Sequence, residues 1–221
     1  MQSSLMQQIK HLFLKELKME LRNRYALFSL VLLLVISVFI IYTISKHVDN
    51  KIWHSLFYVV LIFGVVQNIS RSFLNEHSGS LLYYRFLVDG KAIIISKIIY
   101  QFLVNIFFLL VLTVLMNFWL PQSIPHFWEY MVTAIIFTFC NAAVFTFNSS
   151  IALGAKNSSL VAVILSLPLL LTSLLVGLKS ANKALSPIEN LVFFQDWLVL
   201  FLLLCIQVLL SIVLFNFIWK E

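Results

Sequence analysis

The sequence predicts an all-α integral membrane protein: six transmembrane helices preceded by an amphipathic interfacial helix. Three observations predict it. Hydrophobic residues make up 62% of the 221 positions and charged residues only 11%, whereas a soluble domain carries about 25% charged residues. Several uncharged runs reach the roughly 20 residues that cross about 30 Å of hydrocarbon at 1.5 Å per residue. The Lys and Arg residues gather on alternate connections between those runs, as the positive-inside rule demands.

Residues 1–24 read as the interfacial helix. Leu5, Ile9, Leu12, Phe13, Leu17 and Leu21 recur at three- and four-residue spacing, which places them on one face. Lys10, Lys15, Lys18 and Arg22 fill much of the rest. Such a helix turns its apolar side to the bilayer and its cations to anionic headgroups, making membrane lipid a partner. The plain alternative is a solvated helix packed on the protein. Residues 25–219 form the six-helix membrane domain, so that 1–221 is a single domain. The spans fall at about 25–45, 52–70, 92–119, 127–151, 160–178 and 194–218. The first run is too long for the apolar part of a cleavable signal, and no small-x-small site follows it, so it is expected to stay as an anchor. Pro168 in the fifth span predicts a kink.

Orientation follows from charge. With the N terminus inside, only Lys46, Lys51, Lys179 and Lys183 lie outside, and the other 11 of the 15 Lys and Arg residues lie in the cytoplasm. Both termini are then cytoplasmic. Trp53, Trp119, Trp128, Trp197 and Trp219 all fall at span ends, where the amphipathic ring prefers the headgroup level.

Absences narrow the function. No Asp, Glu, Lys or Arg sits in the middle of a span, which argues against a self-contained ion-coupled pathway. HExxH and GxSxG are missing. The one Gly-Lys pair, Gly90-Lys91, has Arg85 where a Walker A motif needs glycine, and Ala92 after the lysine. The chain is therefore read as no enzyme, with energy arriving from a partner. Cys140 and Cys205 sit in apolar runs with no ligand or redox spacing and read as packing residues. His47, His54 and His126 lie near the outer face, and no flanking motif supports iron ligation by them, so no catalytic or metal residue is assigned. Asn141 and Asn148, seven apart on one face, read as helix-to-helix hydrogen-bonding residues. No basic patch with interleaved aromatics lies outside the spans, so no nucleic acid is expected.

The most informative stretch is the cytoplasmic segment 71–91. Arg71, Phe73 and Glu76 open it, Ser78-Gly79-Ser80 breaks it, and LLYYRFLV (81–88) follows before Asp89-Gly90 turns the chain. Leu81, Tyr84, Arg85 and Val88 fit one amphipathic turn pattern. A short surface helix there is a rigid lever that a docked ATPase could move; the bland reading is a plain interfacial loop.

KELKMELRNRYAL (15–27), Trp53 with Phe57, SFLNEHSGSLLYY (72–84), AIIISKIIY (92–100), GAKNSSLVAVILSLP (154–168) and LFNFIWKE (214–221) recur in order along the chain. In this arrangement the sequence resembles the haem exporter protein B (CcmB) family of cytochrome c maturation. One departure is Gly90, where that family usually carries proline. The tryptophan-rich WWD signature of the haem-handling subunit is absent. The resemblance implies a type II ABC exporter-like permease in a bacterial inner membrane, with a partner ATPase (CcmA), the haem-handling subunit CcmC, and indirectly the periplasmic haem chaperone CcmE. It also implies a second copy of the chain. Haem would be cargo of the complex rather than a cofactor of this chain, and ATP would act through the partner. Arg71, Phe73, Glu76, Gly79, Leu81, Tyr84, Arg85 and Gly90 are the expected coupling residues. Two other readings share the features above: a permease for a lipid, drug or glycan, and a membrane scaffold with no transport role.

Overall fold

The computed structural model describes residues 5–22, 24–44, 49–74, 88–152, 158–186 and 192–220. Seven helices are present among them: α1 (Leu5–Arg22), α2 (Arg24–Ile44), α3 (Asn50–Leu74), α4 (Gly90–Trp119), α5 (Phe127–Ala152), α6 (Ser158–Ala184) and α7 (Phe194–Lys220). Among the described residues the chain is all-helical, as its long continuous apolar runs require, and α2 to α7 occupy the six predicted apolar runs in order.

Among the described residues, four helices are long and apolar enough to cross a membrane: α4, α5, Leu160–Ala184 of α6 and Phe194–Val213 of α7. The apolar part of α2, Phe28–Ile44, is shorter, and α3 opens on polar Asn50, Lys51, His54 and Ser55.

Helix α5 is the centre of the bundle. It packs against α3, α4, α6 and α7. In its most apolar window 78% of residues are buried, against 28% in α6 and in α7. Its sequence shows why. From Cys140 to Ser150 every residue is buried, and the run is rich in Ala, Ser, Thr and Asn. Small and hydroxylated side chains let backbones approach closely, and in hydrocarbon such packing replaces the hydrophobic drive that lipid removes. Hydroxyls recapture their own helix carbonyls, as Thr146 Oγ1 does to Ala142 O at 2.7 Å and Ser150 Oγ to Phe147 O at 2.6 Å. Asn141 links helices as expected: Ser173 Oγ of α6 donates to its Oδ1 at 3.3 Å.

The largest core cluster joins α2 to α6 around Leu34, Trp53, Phe57, Leu112, Tyr130 and Phe137. A second cluster, Ile93, Ile94, Ile98 and Phe215, sits where α4 begins and α7 ends. Two glycines set helix spacing. A Cβ on Gly64 would lie 1.7 Å from Phe108 Cζ, so the ring of α4 fills the space above the α3 backbone. A Cβ on Gly177 would lie 3.1 Å from Phe137 Cδ2, the equivalent approach of α6 to α5. Pro168 lies inside α6, whose helical assignment continues on both sides of it; its missing N–H removes the bond to the Ile164 carbonyl.

Candidate coupling site

The expected coupling residues fall in three groups. Arg71 and Phe73 lie in the last turns of α3. Glu76, Gly79, Leu81, Tyr84 and Arg85 lie outside the described residues. Gly90 is the first residue of α4 and is buried. Asp89 before it is extended, at φ −65° and ψ 133°, and caps the helix through its backbone. Its carbonyl accepts from Ala92 N at 2.9 Å and from Ile93 N at 3.3 Å. Glycine therefore stands at the first helical position, the one place in a helix where proline is welcome because its missing N–H has no partner anyway. The departure from the CcmB pattern at this position is physically mild.

Sequence reasoning missed what holds this helix start. Helix α1 packs lengthwise along the first half of α4. Asp89 N donates to Gln8 Oε1 at 3.3 Å. Eight residues on along both helices, Lys97 Nζ donates to Glu16 Oε1 at 3.4 Å. Further still, Tyr100 hydrogen-bonds Glu20. The nearly constant offset, with partners rising together along both helices, means that they run in the same direction, side by side. Lys97 and Glu16 are 4% and 13% exposed at their side chains. A charge so buried must be paired, since unpaired it would face several kcal/mol of desolvation. The signal was available: a lone cation five residues into the apolar run 92–119, and two acids four apart on an otherwise basic helix. The point where segment 71–91 re-enters the bundle is thus clamped to the N-terminal helix.

The opposite end of the bundle is tied by a polar network. Thr133 Oγ1 donates to Glu129 O at 2.8 Å, lies 3.1 Å from Ser180 Oγ, and accepts from Trp197 Nε1 at 2.9 Å, joining α5, α6 and α7. Asp196 is bridged by Lys183 and, at 3.7 Å, by Lys179. Lys183 also donates to Val192 O at 3.3 Å.

The tryptophans divide. Trp128 is 77% exposed, in keeping with an interface anchor. Trp53 is fully buried instead, and its Nε1 donates to Leu120 O at 3.0 Å. It stacks on Phe57 with ring centres 5.5 Å apart. Its NH is satisfied by the frayed end of α4 rather than by headgroups. His54 is buried beside it, its Nδ1 3.3 Å from Tyr130 Oη, so its ring faces the core and not the outer surface. His126 packs its ring on Phe193, and His47 lies outside the described residues. Among the described residues no group of three His, Cys, Asp or Glu could hold a metal ion. Cys140 is buried, with Sγ 3.2 Å from Leu200 O, and is free, as is the half-buried Cys205.

Four helices long and apolar enough to cross a membrane thus form one bundle, with the start of α4 clamped to α1. Residues 7–181 match the family of the ABC-2 type transporter, and the chain belongs to that family. It is a multi-pass membrane permease of an ABC transporter, working with an ATPase partner subunit. Compared with curated proteins and with solved structures, the chain has no significant match.

Proposed function

We propose that this chain is the CcmB-type permease of an ABC complex that serves haem delivery for c-type cytochrome maturation. Family membership over residues 7–181, together with the ordered CcmB-like motifs from Lys15 to Glu221, carries the reading. The chain sits in a bacterial inner membrane with six crossings and both termini in the cytoplasm. Two copies match two ATPase sites. The ATPase is CcmA, the haem-handling partner is CcmC, and CcmE receives the haem. This chain hydrolyses nothing and binds no cofactor of its own. ATP hydrolysis in the partner moves Arg71, Phe73, Glu76, Gly79 and the run from Leu81 through Tyr84 and Arg85. Gly90 and the α1–α4 clamp carry that motion into the bundle. The outcome is haem export or release of the haem-loaded chaperone.

Deletion of the gene followed by a haem stain for c-type cytochromes tests the role. Loss of stained cytochromes is expected, and normal levels would remove the haem assignment while leaving the permease in place. A reporter fused at residue 85 should read cytoplasmic; a periplasmic signal overturns the topology. Glu76→Ala or Gly79→Pro should weaken ATPase co-purification or stimulation, and unchanged coupling in both variants sinks the proposed coupling segment.

A further inference from the structure

Helix α1 uses one face to grip α4, through Gln8, Glu16 and Glu20. It also meets α2, and the exposed positions that remain are not uniform. His11, Lys15, Lys18 and Arg22 are spaced three and four apart and form one basic stripe, since such positions are neighbours on a helix surface. With Leu14 and Met19 they line a groove of about 550 Å³. His11, Lys18 and Arg22 are exposed.

Beside the stripe runs an apolar strip, Leu14, Leu17 and Leu21, again at three- and four-residue spacing. Leu17 and Leu21 meet Leu103, Val104 and Phe107 of α4 across a crevice of about 200 Å³. Leu103 and Phe107 are 44% and 47% exposed, so the crevice opens to the side of the bundle within the apolar run of α4. Both acids of this helix turn are engaged on the α4 side, Glu16 by Lys97 and Glu20 by Tyr100. Along the axis of α1, Lys15, Lys18 and Arg22 interleave with Leu17 and Leu21, so the basic stripe flanks the crevice at the same height.

We propose that α1 and α4 together bind one anionic phospholipid, with its phosphate on Lys15, Lys18 and Arg22 and an acyl chain in the crevice against Leu103 and Phe107. A cationic stripe adjoining an apolar crevice is complementary to a phosphate joined to a hydrocarbon chain. An acidic protein surface would match the stripe but leave Leu21 and Phe107 uncovered, and for this reason lipid is preferred. The bound lipid lies along the clamp that holds Asp89 and Gly90, so it stiffens the point at which the coupling segment enters α4. The inference rests on the proposal above only in placing α1 at the cytoplasmic leaflet.

The test uses the full chain purified in detergent, with dioleoyl phosphatidylglycerol and dioleoyl phosphatidylcholine added separately. Native mass spectrometry and the thermal midpoint are the readouts. Phosphatidylglycerol is expected to bind at least tenfold more tightly and to raise the midpoint. Lys15→Gln/Lys18→Gln/Arg22→Gln should reduce its binding to the phosphatidylcholine level, and Lys15→Arg/Lys18→Arg should retain it. Leu103→Trp fills the crevice and should weaken the dioleoyl lipid while leaving dihexanoyl phosphatidylglycerol unchanged. Equal binding of the two lipids overturns the site. So does competition by inorganic phosphate as effective as by the lipid, which would make it a free-anion site. Undiminished lipid binding in the triple Gln variant, with the ATPase lost on co-purification, assigns the stripe to protein instead. Normal haem staining in the deletion strain removes the role proposed above without touching this site, and equal lipid binding does the reverse.

Discussion

Replacing Glu16 by Leu isolates the contribution of the clamp. The substitution leaves the Lys97 ammonium, 4% exposed, without its carboxylate. At 3.4 Å and an effective dielectric constant of about 20, the Coulomb attraction is about 5 kcal/mol. Removing one member of a buried pair costs about 3–5 kcal/mol, because the remaining charge keeps its desolvation cost. Glu16→Leu should therefore destabilise the chain by about 3–5 kcal/mol. Lys97→Met should cost less, near the low end of that range, because Glu16 at 13% exposure can reach water more readily. The double variant Glu16→Leu/Lys97→Met removes both charges and fills the space with carbon. It should lie within about 1 kcal/mol of the parent, since apolar replacement of a buried pair is often neutral. Unfolding of the detergent-solubilised chain by urea or heat, read by circular dichroism, gives the cycle. A double variant as unstable as the two singles combined would refute the clamp. It would mean that Lys97 is held by something other than Glu16.

Three further predictions follow from particular contacts. Gly64→Leu places side-chain atoms where Phe108 Cζ already sits 1.7 Å from a Cβ; a destabilisation of about 1–3 kcal/mol from overpacking is expected, and an unfolding midpoint equal to the parent's would show that α3 and α4 are not in contact there. Gly90→Pro should be accommodated and stabilise by about 0.4–1 kcal/mol, because Asp89 is already extended and position 90 opens the helix; a lowered midpoint would show that the Gly90 N–H or the space around it is needed. Thr133→Val keeps the shape but strips the acceptor from Trp197 Nε1, and should cost about 1–3 kcal/mol with a shift in tryptophan emission; Thr133→Ser should keep most of the parent's stability.

Much of the architecture was legible in the sequence, and for one reason. Lipid imposes length and apolarity on each crossing residue by residue, so α4, α5 and α7 could be placed within about two positions of their ends, while α6 runs on to Ala184, past the expected end near 178. Asn141 was read as a helix linker and is one through its Oδ1, whereas its Nδ2 and that of Asn148, read the same way, are buried without a hydrogen-bond partner among the described residues. Trp53 shows the limit. At a span end it looks like its four counterparts, yet only the neighbourhood of Leu120, Phe57 and Tyr130 determines that it is core and not interface. The coupling site divides in the same way. Asp89 and Lys97 are visible in the sequence, but the partners they find, Gln8 and Glu16, are each 81 positions away.

By itself the sequence determined the class: an all-helical membrane protein with a long polar connection at 71–91 and no Walker A motif. These properties are sums over local windows, and hydropathy, charge placement and the lack of a Walker A motif need no contact map. Only the tertiary structure decided that α5 is the buried centre, that Phe108 lies over Gly64, and that α1 runs along α4. Such contacts depend on which faces meet. Within lipid every apolar face is equally soluble, so close packing and buried polar pairs such as Lys97–Glu16 make the choice. That pair converts a basic surface helix, as the sequence alone presents it, into the part that grips the start of α4.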